Sequence, residues 1–273
     1  MSRSNPNSGS EKPTNPAELF LQWDSDNKQF KYWDKEAKKN VLVPLPVKFL
    51  VLDTLATVTG FNEATEQGIW SNEVKNVTKD SFTVMTKKGV EGKGLWNDVK
   101  TKVSGAKFAS SVYAAYLAPD KTIKLVNFKM SGSSLNTWIE FLNPDKKSGN
   151  TKPNILKNGV IVKTSEDRKK GRNNYSCPIF SEVENIPDDI NEKAAVLDAT
   201  LQAYLSEYFA YVKQFDKEEN VAESTQNTEL ELVKKESVSA SETKASRGSV
   251  KMEDAGEVFV NNGSDLPSDF DLF

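Results

Sequence analysis

The chain has 273 residues, of which 36 are basic, 39 acidic and none histidine. The lack of histidine excludes Ser-His-Asp and Cys-His catalysis, His-ligated zinc and the HExxH class. A single cysteine, Cys177, excludes a disulfide within the chain, a Cys-rich zinc site and a CxxC redox pair.

The net charge of −3 hides a segregated distribution. Residues 75–175 carry 20 Lys/Arg against 8 Asp/Glu, whereas residues 217–273 carry 6 against 13. A basic centre beside an acidic tail points to an anionic partner and to a tail that acts separately. Residues 1–10 are polar and lack an apolar signal core, and the apolar run 49–52 is far too short to cross a membrane. The expectation is therefore a cytoplasmic protein with no membrane partner.

Taken in chain order, residues 1–16 are rich in Ser, Asn and Pro and read as a disordered arm. Residues 28–33 and 41–47 read as a hairpin with a polar tip at 34–40. The stretch 49–59 mixes leucines with Val and Thr, and the β-branched residues favour a long strand. Strands are predicted over 69–78 and 81–86, and again over 108–117 and 122–130. Leu95, Val99 and Val103 predict a short helix before Gly105. Leu135, Trp138, Ile139 and Leu142 predict a second, with Ser133 or Ser134 as its cap and Pro144 beyond its end. Strands follow at 160–163 and 178–183. The clearest helix covers 189–215, where Ile190, Ala194, Leu197, Leu201, Leu205, Tyr208, Val212 and Phe215 form one stripe. Residues 217–257 hold no aromatic residue and read as a disordered acidic tail. Residues 17–216 are thus the folded domain. The class is mainly β with added α: an OB-fold-like Greek-key barrel, with a short helix between its third and fourth strands, a long C-terminal helix and a disordered acidic tail.

The basic centre interleaves lysines with aromatic residues, the mixture that single-stranded nucleic acid requires. Ammonium groups follow phosphates and ring faces stack on bases. The candidates are Trp70, Lys75, Phe82, Lys87, Lys88, Trp96, Lys100, Lys107, Phe108, Tyr113, Lys124 and Lys129. Residues 166–175 add Arg168, Lys169, Lys170, Arg172 and Tyr175 on what reads as a mobile basic loop able to clamp a backbone. The glycines of 89–94 lack the GK[ST] of a phosphate loop and read as a turn. Asp24 and Asp26 open no calcium loop, because Lys28 and Gln29 stand where a ligand and a glycine belong. No catalytic set, metal site or cofactor is expected.

The C-terminus alternates acids with apolar residues: Asp265, Leu266 and Pro267, then Asp269, Phe270, Asp271, Leu272 and Phe273. A terminal ring with a free carboxylate suits a pocket with an apolar floor and a basic rim. This tip resembles that of bacterial single-stranded DNA-binding proteins, which end in acids followed by Ile/Leu-Pro-Phe. Here the proline lies six positions upstream of Phe273. The body is similar instead to phage-encoded single-stranded DNA-binding proteins. The resemblance rests on the WNDVK of residues 96–100, the GAKF of 105–108, the SVYAAY of 111–116 and the SLNTWIEF of 134–141. It implies a non-enzymatic protein that coats single-stranded DNA during replication, recombination or repair, in the host cytoplasm if phage-encoded. It also implies a tip that recruits replication or recombination proteins, and the net −7 of residues 217–273 against the net +12 of residues 75–175 implies that the tail competes with DNA for the basic surface. A homo-oligomer stays open. The alternatives are a scaffold with a docking tail and a carboxylate-dependent nuclease.

Overall fold

The computed structural model describes residues 12–144 and 151–236. Eleven strands and three helices lie among them: β1 (Leu19–Asp24), β2 (Gln29–Asp34), β3 (Lys39–Val43), β4 (Val47–Asn62), β5 (Gln67–Ser71), β6 (Phe82–Thr86), β7 (Gly89–Gly94), α1 (Trp96–Lys102), β8 (Ala106–Leu117), β9 (Ile123–Ser131), α2 (Ser133–Leu142), β10 (Gly159–Lys170), β11 (Asn173–Val183) and α3 (Asp188–Glu236). The strands form one sheet whose main path is β3-β2-β1-β9-β8-β4-β5-β6-β7, with β10 branching from β4 and β11 from β10. β1 and β9 run parallel, so the sheet is mixed, and it is not closed. The protein is mainly β with added helices.

The long strand β4 organises the sheet. Its whole length pairs with β8, while its other edge pairs with β10 at one end and β5 at the other. A register shift between Val51 and Asp53 makes Leu52 an extra residue. Such a bulge moves the following alternation to the opposite parity. Phe49 and Val51 lie on one face before the bulge, toward the main core; Ala56 and Val58 lie on the same face after it, paired with Ser110 and Phe108.

That core is a train of rings. Trp23, Phe30, Phe128, Phe49, Trp138 and Phe180 meet successively at centroid separations between 4.4 and 6.4 Å. Edge-on and tilted contacts of this kind add to the area that each ring removes from water. α2 closes this side by burying Leu135 and Trp138.

The opposite face of the sheet receives the first turns of α3. Leu201, Tyr204, Leu205 and Tyr208 are buried there. Gln202 of α3 donates to Asp53 on β4 at 3.3 Å, and the hydroxyl of Tyr208 accepts the backbone N–H of Glu73 at 2.8 Å. The chain divides into two units after Tyr208; in the second, α3 continues to Glu236.

Several segments depart from their sequence reading. β1 was hidden because its alternation covers only six residues. The strand predicted over 69–78 ends at Ser71, since Asn72 turns the chain through bonds to Ser81 O and Thr83 N. Beyond it only Val74 bridges back to Ala56. Residues 89–94 are a strand, β7: backbone pairing with β6 suffices, although the side chains show no strand pattern. The predicted mobile loop 166–175 is the end of the β10–β11 hairpin, paired residue by residue from Glu166 to Lys170. Neither serine caps α2 as expected; Gly132 occupies the N-cap, and Ser134 Oγ donates to Ser131 O instead.

Candidate nucleic-acid interface

The face that α3 crosses has a covered centre and open flanks. At one end of β4, Thr59 pairs with Lys107 of β8 on one side and with Trp70 of β5 on the other. Paired residues point to the same face, so an ammonium group and an indole stand side by side across three strands. Trp70 is 39% exposed and Lys107 is exposed. Phe61, two residues beyond Thr59, shares this face and is also exposed. Met85 of β6 pairs with Trp70 and extends the surface.

The backbone here admits no side chain at its crossing point. Gly105 has a φ of +82°, and a Cβ on it would lie 2.2 Å from Phe61 O. A Cβ on Gly60 would lie 2.1 Å from Gly105 O. Glycine is thus required for the close approach that puts Lys107 opposite Thr59. The GAKF segment has one role per residue after this turn: Lys107 faces out and Phe108 faces in. The WNDVK segment divides in the same way, with Trp96 and Val99 buried in α1 and Lys100 exposed.

The segment from β6 to the start of β8 is strongly basic. Residues 82–108 hold six lysines and two acids. Lys87 and Lys88 form the exposed β6–β7 turn, close to Met85 in sequence, and Lys75 is exposed on the loop before β6. The other predicted aromatic partners are elsewhere. Phe82, Phe108 and Trp96 are buried, with Phe108 edge-on to Phe82 at 6.4 Å and to Trp96 at 5.5 Å. Rings consumed by this second core have no face for a base. Their role is to hold α1 and β6 against β8.

Tyr113 is likewise fully buried, under α3. Its hydroxyl donates to Glu73 Oε2 at 2.9 Å and accepts from Asn15 Nδ2 at 2.6 Å. Ser111 Oγ donates to the other oxygen of Glu73 and accepts from Asn127 Nδ2. Burial raises the Glu73 pKa, opposed by these two hydroxyls. Burial lowers that of half-buried Lys129, opposed by the Glu73 charge. Burial, helped by that same charge, pushes Tyr204 up to about 12. Every group in this network has a partner, and its effect is to pin the 72–81 loop to β8 and α3. Tyr113 and Lys129 therefore belong to it and not to an open surface. Lys124 is half-buried on β9, opposite Tyr116.

The β10–β11 hairpin splits its predicted set in two. Arg168 makes a bidentate pair with Glu140 of α2, at 2.8 and 2.6 Å, and bonds Glu166 on its own strand. Those carboxylates raise its pKa, and its guanidinium ties the hairpin to α2. Lys169, Lys170 and Arg172 are exposed at the hairpin end, and Tyr175, opposite Arg168, is half-buried. The tail candidates Asp265, Leu266, Asp269, Phe270, Asp271, Leu272 and Phe273 lie outside the described residues.

Sequence reasoning missed three exposed rings: Phe61 on β4, Phe20 on β1 and Trp33 on β2. Nothing in the alternation marks Phe20 and Trp33, since each shares its parity with polar residues: Gln22 and Asp24 with Phe20, Gln29 and Lys31 with Trp33. Among the described residues, no group of three or more His, Cys, Asp or Glu side chains could hold a metal ion, and no helix is long and apolar enough to cross a membrane. No family model matches the chain, and neither a curated protein nor a solved structure matches it.

Proposed function

We propose that the chain binds single-stranded DNA with little sequence preference and is not an enzyme. The row Lys107–Thr59–Trp70 carries this reading: an exposed ammonium and an exposed indole share one rigid strand face. An indole can stack on any base, and an ammonium can hold any phosphate, so the pair suits a strand of any sequence. Lys75, Lys87 and Lys88 are exposed on the neighbouring loop and turn, Lys100 is exposed on α1, and Lys169, Lys170 and Arg172 supply a second basic element at the hairpin end. Buried Phe82, Trp96 and Phe108 act indirectly, by fixing the strands that carry the exposed groups.

The finer architecture of this proposal is an opened barrel of OB type. Its support is the chain order β4, β5, β6, β7, α1, β8, β9, with the short helix inserted before β8 and with β4 lying between β5 and β8. In the same reading the acidic C-terminal tip recruits replication or recombination proteins through Phe273 and competes with DNA for the basic surface. The setting is cytoplasmic, that of a bacterial host if the chain is phage-encoded.

The test is incubation of the full chain with a labelled single strand and Mg²⁺, followed by native and denaturing electrophoresis. Intact strands of retarded mobility are expected. Intact strands of unchanged mobility would favour a scaffold protein, and shortened strands a carboxylate-dependent nuclease.

A further inference from the structure

A second aromatic and basic patch lies on the same sheet face, beyond the part that α3 covers. Asn127 of β9 pairs with Tyr113 of β8 under the helix and, on its other side, with Phe20 of β1. Gln22 of β1 pairs with Lys31 of β2, and Lys31 with Leu42 of β3. By strand alternation Phe20 and Trp33 share this face. Phe20 is 51% exposed, Trp33 56% and Leu42 41%. An open group of two rings and a leucine costs solvation that a single exposed residue does not.

Charge says what covers it. Residues 28–48 hold six lysines and two acids, the same balance as the 82–108 segment around Trp70. Lys31 is bound to Asp24 at 2.9 Å. Lys35, Lys38 and Lys39, however, are exposed at the turn that follows Trp33. One of the two acids, Asp34, spends an oxygen on the turn amides of Glu36 and Ala37. Rings beside lysines fit a polyanion with stacking faces better than an apolar protein surface.

The patch is separate from the first. From β2 to β5 the sheet path crosses five strand spacings, about 24 Å at roughly 4.8 Å each. Between them lies the start of α3, where residues 188–208 hold five acids and one lysine. A phosphate backbone is repelled by that helix and attracted to either flank. We propose that Phe20 and Trp33, with Lys35, Lys38 and Lys39, form a second single-strand station. One chain then holds two short strand segments at once, on either side of an acidic divider. This rests on the reading of the chain as a single-strand binder.

The probe is a thymidine trinucleotide, which even fully extended is shorter than the separation of the flanks. Native mass spectrometry of the full chain is expected to show two trinucleotides per chain at saturation, and one for either Trp33→Ala or Trp70→Ala. With a ~30-nucleotide poly-dT strand, Trp33→Ala is expected to weaken binding about 5- to 160-fold, the range for loss of one stacked base. Replacing Lys35, Lys38 and Lys39 by Gln should flatten the salt dependence. Trp33→Ala should melt like the native chain, because the side chain is mostly in solvent. One trinucleotide per native chain, with Trp33→Ala binding unchanged, would overturn the second station alone. A Trp33→Ala chain that alters self-association while binding both strands normally would make the patch a protein interface and overturn it too. Failure of the native chain to bind either strand would overturn the single-strand reading itself.

Discussion

Gly105 shows how one residue sets the geometry of the surface. Its left-handed backbone and the 2.2 Å approach that a Cβ would make to Phe61 O leave no room for alanine. Gly105→Ala is expected to destabilise the fold by about 1–3 kcal/mol, as for other overpacked sites, measured by urea unfolding. It should also weaken strand binding, because Lys107 is two residues away. Tyr113→Phe behaves differently. It removes the hydroxyl shared by Glu73 and Asn15 and should cost about 1–3 kcal/mol of stability. It should leave strand affinity per folded molecule unchanged, and a loss of affinity without loss of stability would return Tyr113 to the binding surface.

Asp24 gives a pH signature at the same scale. The Lys31 ammonium beside it, with help from the Asn27 amide, holds its carboxyl down at about 2, against the ordinary value near 3.8. A depressed carboxylate stabilises the fold above its unfolded pKa and loses that contribution as pH falls through the folded one. Stability should therefore drop between about pH 4 and pH 2. Asp24→Asn should flatten that part of the profile in thermal melts. An unchanged profile would show that the Asp24–Lys31 pair contributes nothing.

Elements were legible where a single pattern ruled. α1 and α2 stand within a few residues of their predicted places because their apolar spacing meets one core face, and β8 and β9 do so as runs buried on both faces. β4 was ambiguous in sequence for a physical reason: the bulge at Leu52 reverses its alternation, and after it both faces are buried, one under the rings and one under α3. The candidate site was legible in its lysines and poorly so in its rings. A buried Phe82 and an exposed Phe61 look alike in sequence, and only the register of neighbouring strands separates them. The hairpin was misjudged because its charged residues carry no strand pattern; long-range pairing from Glu166 to Lys170 decides it. At this scale Arg168→Ala should lower stability through loss of the Glu140 pair. Lys169→Gln with Lys170→Gln should leave stability unchanged and reduce the salt slope of strand binding by up to about 0.7 per phosphate contact. A stability loss in the second variant would assign those lysines to the fold.

For the whole molecule, averaging concealed part of the charge design. The segment 1–74 is net −2, yet residues 28–48, which contain the β2–β3 hairpin, are net +4. The sheet turns this linear mixture into basic, aromatic flanks on either side of an acidic helix. The central claim is that these flanks bind single strands through phosphates and stacked bases. Its most direct test is fluorescence anisotropy of a labelled ~30-nucleotide poly-dT strand, titrated with the full chain at two salt concentrations with duplex as competitor. Tight binding that weakens steeply with salt and resists duplex competition is the predicted result. No binding at low salt, with residues 258–273 present or removed, would contradict it.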